Sequence, residues 1–177
     1  MAEQPRDRRS LVFLARFAGL LVAFYLLVAW RPVNDAVVVP FTGAIATVSA
    51  ALLNALGERV VVSGTEIRST GFAVNIENGC NGIETVLLFA SAVLAFPSTI
   101  RRKAAGLALG FATIELLNLV RVVSLFWIGR HHPGLFASSH TVIWQSVVVL
   151  FGVLLFLVWA AWRPQTAAVR FPGKSQP

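Results

Sequence analysis

The chain has 177 residues and a mean hydropathy of +0.74, with 56% hydrophobic and 13% charged residues, against about 25% charged in an ordinary soluble domain. That balance excludes a water-soluble globule and a disordered polymer, and the single cysteine, Cys80, excludes a disulfide-stapled fold. The net charge of +7 comes from Lys and Arg in short clusters between apolar runs, a pattern that points to anionic membrane lipids and away from nucleic acid.

A bilayer core needs roughly 20 apolar residues of helix. Residues 1–10, with Arg6, Arg8 and Arg9, precede the first such run, 11–30. It resembles a signal peptide but is too long for an h-region and lacks an Ala-x-Ala site, so it is expected to stay as an anchor. Residues 40–56 place Phe41, Ile45, Val48, Leu52 and Leu56 at helical spacing, with Thr42, Thr47, Ser49 and Asn54 mostly on other faces. Such a helix either spans or lies flat on the surface.

Residues 59–77 alone have strand character, broken at Ser63-Gly64 and Gly71; the alternation of Phe72, Val74 and Ile76 with Ala73, Asn75 and Glu77 predicts a half-buried hairpin. Three more apolar runs follow, 83–97, 104–128 and 141–162, of which the first is short. Residues 163–177, with three prolines, read as a short disordered tail.

Charge decides the orientation. With 40–56 flat, the N-terminus, Arg101, Arg102 and Lys103, and Arg163, Arg170 and Lys174 share one side, nine basic residues against four; with 40–56 spanning, the split is six against seven. The positive-inside rule therefore favours four spans with both termini cytoplasmic. Trp30, Trp127 and Trp144 then fall at the outer interface and Trp159 and Trp162 at the inner one. The expected fold is an all-α integral membrane protein forming one domain over 1–177. It has four transmembrane helices in a core over 11–162, an outer amphipathic helix and a small periplasmic β-hairpin.

Ionisable and polar groups inside spans are costly, so each is a functional candidate. They are Glu84, Glu115, Asn118, Arg121 and Gln145, with Arg16 near the inner end, and at the outer mouths of the helices Cys80, Arg130, His131, His132 and His140. Cys80 lies in a turn rich in Asn and Gly, Glu77-Asn78-Gly79-Cys80-Asn81-Gly82-Ile83-Glu84. Asn81 and Glu84 have capping-box spacing, which predicts a helix start and a sulfur beside unpaired backbone N–H groups that favour a thiolate.

Arg121 sits seven residues before Ile128, about 10 Å below the expected end of its helix, and can snorkel outward from there. Glu115 and Asn118 precede it at three-residue intervals as a polar network or an ion pair. His140 is expected to open the last span, capped by Ser138 or Ser139, and an outer-face histidine can act as general base or acid. His131 and His132, before Pro133-Gly134 in an expected loop, are weaker candidates for that role. The spacing of the histidines and Cys80 matches no ligand motif, so neither a metal nor a cofactor is expected. A cysteine, an arginine and a histidine from three helices at one membrane face are the parts acyl transfer needs.

At these residues the chain resembles the exosortase and archaeosortase family of membrane-embedded cysteine transpeptidases. The resemblance rests on Cys80 in Asn-Gly-Cys-Asn-Gly-Ile-Glu before a span, Asn118-Leu-Val-Arg121 late in the next and His140 at the last, and covers roughly 33–162. The small size and the Cys-Asn-Gly-Ile-Glu wording are similar to the exosortase H type, whose partners carry an Ile-Pro-Thr-Leu motif. Asn81 departs from the Cys-Ser-Gly of many longer exosortases.

The resemblance implies exported substrates with a tripartite C-terminal tail: a short motif, a hydrophobic helix and a basic cluster. It implies a bacterial inner-membrane enzyme with its site at the periplasmic face. Cys80 would attack the peptide bond at the motif, and an acceptor of unknown identity would resolve the thioester. Arg121 would stabilise the oxyanion or thiolate and His140 would shuttle protons, with Asn118, Asn81, Glu84 and Glu115 in support. Rival readings are a non-enzymatic membrane chaperone or assembly factor binding hydrophobic tails, and a small ion or proton pathway through Glu84, Glu115 and Arg121.

Overall fold

The structure, a computed structural model, describes residues 5–162, with the side chains described from Arg8 onward. The expected cytoplasmic tail 163–177 and the side chain of Arg6 lie outside what is described. Five helices and one small sheet make up the described chain: α1, Pro5–Ala29; α2, Arg31–Ala55; α3, Ile83–Ala95; α4, Ile100–His131; and α5, Pro133–Ala161. Strands β1 (Val61–Ser63), β2 (Glu66–Ser69) and β3 (Phe72–Asn75) lie between α2 and α3.

Four of these helices are long and apolar enough to cross a membrane, the expected number, but the membership differs: Arg31–Ala55 qualifies and Ile83–Ala95, at 13 residues, is short. Helix α3 is the hub, packed against α1, α4 and α5. The bundle has two distinct ends. At one, Phe13 of α1 meets Phe96 and Phe156, and Trp159 closes the aromatic cluster. There Arg102 donates to the carbonyls of Trp159 and Trp162, and Lys103 Nζ donates to the Leu94 carbonyl. Two members of the basic cluster thus satisfy orphan carbonyls at the C-termini of α5 and α3.

At the other end, Tyr25, Val28 and Ala29 of α1 border Gly79 and Ile83. Helix α2 begins there and ends where Glu58 takes Arg130 and His131, so despite its length it does not run from one end of the bundle to the other. A Schellman turn stops it: Glu58 N–H donates to the Leu53 carbonyl and Gly57, at φ 93°, to Asn54.

Which face of α2 is buried corrects the expectation. Thr42 (3% exposed), Ile45, Ala46, Ser49 (0%), Ala50 and Leu53 face the protein, whereas Val48 (46%), Leu52 (44%) and Leu56 (73%) face outward. Small and weakly polar residues let backbones approach in a membrane, while large apolar ones lose nothing by facing lipid. Ile45, Ala46, Ala50 and Leu53 join Ile67, Ile76, Val122 and Phe126 in the core that seats the sheet.

The expected hairpin is a three-stranded antiparallel sheet, ordered β1-β2-β3 and registered by Val62 opposite Ile67 and Ile67 opposite Val74. Both sequence breaks are turns, with Gly64 at φ 63° and Gly71 at φ 87°. The predicted alternation is present, with Phe72, Val74 and Ile76 turned inward. Phe72 packs on Phe126 and Phe136.

Candidate active site

Strand β3 delivers the chain to the turn that carries Cys80. Cys80 N–H donates to the Glu77 carbonyl at 3.0 Å, closing the turn, and two asparagines tie it down from either side. Asn78 Nδ2 donates to Asn34 Oδ1 at 3.1 Å, and Asn81 Nδ2 donates to Thr42 Oγ1 at 2.9 Å, while Thr42 donates on to the Val38 carbonyl. Both anchors come from α2.

The predicted capping box does not form. The N-cap of α3 is Gly82, at φ 85°, and Asn81 Oδ1 instead accepts the Ile83 N–H at 3.2 Å. Gly82 has a steric reason as well as a conformational one: a Cβ there would stand 2.6 Å from Glu115 Oε1. The Glu115 carboxyl therefore lies against the first turn of α3.

Arg121 and His140 converge on the turn from the other two sides. Cys80 Sγ lies 2.7 Å from His140 Nε2 and 3.7 Å from Arg121 Nη2. Arg121 also donates through Nη1 to the Gly79 carbonyl at 3.2 Å and through Nη2 to Gln145 Oε1 at 3.1 Å. It does not snorkel: α4 runs on to His131, and the residue is 2% exposed, its guanidinium held where the Gly79 carbonyl and Gln145 accept its protons.

His140 does not open a helix either. Pro133 sits in the first turn of a helix that the sequence suggested was a loop, since its missing N–H costs nothing there. His140 falls inside a π-helical turn, Ser139–Trp144, without a side-chain cap from Ser138, and its ring stacks on Phe136 at 5.8 Å and 8°.

Against the thiolate favoured at a helix N-terminus stands the burial of the sulfur. Burial pushes the Cys80 thiol above its ordinary value, Arg121 opposes this, and Glu77 and Glu84 add to the rise. His140 Nε2, 2.7 Å away, is placed to take the thiol proton as the sulfur attacks.

The other candidates divide by position. Glu115 and Asn118 are buried, and neither their four polar atoms nor Arg121 Nε has a partner among the described residues; no Glu115 to Arg121 ion pair forms. Glu84 lies on the far side of the turn, beside a cavity of about 160 Å³ shared with Tyr25 and Asn78. Arg130 and His131 pair with Glu58, His131 at 3.1 Å, and His132 packs on Trp127, so all three are used at the rim away from Cys80.

Two site residues had no assigned role from sequence. Gln145 stood out only as a polar residue inside a span, and Thr42 only as part of a supposed polar face of α2. Helical spacing at Thr42, Ile45 and Ser49 was the available signal for the latter.

No curated protein and no solved structure matches the chain. A family model does, described as Transmembrane exosortase (Exosortase_EpsH), over residues 8–165, which takes in all but the first three residues of α1, every other helix and the whole Cys80 site. This multi-pass membrane protein belongs to the transmembrane exosortase family.

Proposed function

We propose that the chain is a membrane-embedded cysteine transpeptidase, of the exosortase H type, that removes the C-terminal sorting tail of exported proteins. The observation that carries this reading is the 2.7 Å approach of Cys80 Sγ to His140 Nε2 with Arg121 beside the sulfur. Cys80 Sγ attacks the carbonyl carbon at the motif while His140 Nε2 takes the thiol proton. The carbonyl oxygen becomes an oxyanion stabilised by the Arg121 side of the site, and the intermediate collapses as His140 returns the proton to the leaving amine. An amine, hydroxyl or water then attacks the thioester, and His140 accepts and returns its proton.

The substrate in this reading is an Ile-Pro-Thr-Leu type motif followed by an apolar helix and a basic cluster. The N- and C-termini face the bacterial cytoplasm and the site faces the periplasm. In support, α1 begins and α5 ends at the same end of the bundle, and Cys80 lies toward the opposite end.

Co-expression with a tagged protein bearing such a tail, followed by intact mass of the product with wild-type and Cys80→Ala enzyme, tests it. Tail loss that requires Cys80 is the expected result, and the mass of the new C-terminus separates transfer from hydrolysis. Unchanged processing by Cys80→Ala defeats the mechanism, and tail binding without any Cys80-dependent cleavage favours a tail-binding chaperone. Loss of ion conductance with Glu115→Gln but not Cys80→Ala defeats it in favour of a pathway.

A further inference from the structure

Arg121 has little left to offer a substrate oxygen. Three of its five N–H groups go to Gly79, Gln145 and Cys80, its Nε is buried without a partner among the described residues, and the residue as a whole is 2% exposed. A guanidinium only donates, so Gln145 must turn its Oε1 toward Arg121, which leaves both Nε2 protons pointing elsewhere. Nε2 has no partner among the described residues and, unlike Arg121 Nε, is not buried. The structure thus holds an oriented, unspent donor pair one hydrogen bond from the group beside the sulfur.

The local backbone explains how it gets there. Residues five apart in an α-helix point about 140° apart around the axis, whereas the wider i→i+5 turn brings them toward one face. His140 and Gln145 are five apart and the π-helical turn Ser139–Trp144 lies between them, so one reaches Cys80 and the other Arg121 from the same side of α5.

We propose that Gln145 Nε2 is a donor to the acyl oxyanion formed at Cys80, and that the π-helical turn places it there together with His140. The proposal rests on the cysteine transpeptidase reading. No proton leaves Gln145: its N–H bonds shorten onto the oxygen as charge develops and relax when the thioester forms.

The test uses full-length protein in bilayers, with two rates measured on each variant: tail cleavage, and alkylation of Cys80 by iodoacetamide at its high-pH plateau, a displacement that forms no oxyanion. Gln145→Met removes acceptor and donor; Gln145→Glu keeps the acceptor for Arg121 and lacks the donor. Both are expected to cleave about 10²-fold more slowly than wild type, with alkylation within about threefold. Cleavage by Gln145→Met within about threefold of wild type overturns the proposal, as does recovery in Gln145→Glu, which would make Gln145 only a support for Arg121. Parallel loss of both rates also overturns it, by showing a structural role. Absence of any Cys80-dependent cleavage in the wild type is a separate result, read before the variants, and removes the parent reading and this one together.

Discussion

At Cys80 two groups act on one proton from different directions: His140 is placed to accept it, and Arg121 favours the sulfur once it has gone. Burial and the carboxylates of Glu77 and Glu84 hold it on. The signs give a paired prediction. Arg121→Gln removes the one influence that lowers the thiol, so its titration moves further up and alkylation at pH 8 slows, by up to about tenfold, as the thiolate fraction falls. Glu77→Gln removes an influence that raises it, so the titration moves down and alkylation at the same pH quickens. The pH dependence of iodoacetamide labelling, followed by mass, checks both. His140→Ala is expected to cost about 10²- to 10⁴-fold in tail cleavage.

At Gly82 the constraint is steric. Ala there meets the Glu115 carboxylate at 2.6 Å on a backbone already at φ 85°, and a loss of about 1–3 kcal/mol is expected in detergent unfolding.

Among elements, α3 and α4 owe their contact to small residues. A Cβ at Gly110 of α4 would collide with the ring of Phe89 on α3. Gly110→Ala is therefore expected to lower stability by about 1–3 kcal/mol, and adding Phe89→Ala to relieve part of that loss. Equal destabilisation of the double variant and the sum of the singles would show that the two side chains do not compete for that space. The π-helical turn of α5 makes a separate demand. Deleting Val142 would leave His140 and Gln145 four apart in an α-helix, about 40° apart and still on one face, so cleavage should fall less than in Gln145→Met while the helix content by circular dichroism is kept.

On the scale of the molecule, the site is a junction of three bodies: the bundle, α2 and the sheet. The bundle contributes Arg121, His140 and Gln145, and the turn that bears Cys80 is strung between β3 and α3. Helix α2 contributes no reacting group but pins that turn through Asn34 and Thr42. Its far end is held by Glu58 against Arg130 and His131, and by Asn54 against both backbone groups of Val60. Glu58→Ala should cost about 1–3 kcal/mol, less than a fully buried pair because Arg130 keeps some access to water. Thr42→Val should also cost about 1–3 kcal/mol, because it leaves the buried Asn81 amide without its acceptor, and should slow cleavage by freeing Asn81 within the Cys80 turn.

Composition, hydropathy and charge clusters sufficed to read the class of this protein, since a chain this apolar cannot close a core in water, and they sufficed for four long helices and a small β element. Cys80, Arg121 and His140 stood out in the sequence as polar groups at span ends, which have few structural excuses, and the structure brings the three side chains together. Three things required the tertiary structure. The buried face of α2 depends on its facing protein on one side and an apolar medium on the other, which inverts the usual rule that the largest apolar stripe packs inward. The start of α3 at Gly82 depends on Glu115, thirty-three residues away in the chain. The role of Gln145 depends on one extra residue in a helical turn, a change of backbone period that no pattern of side chains in the sequence announces.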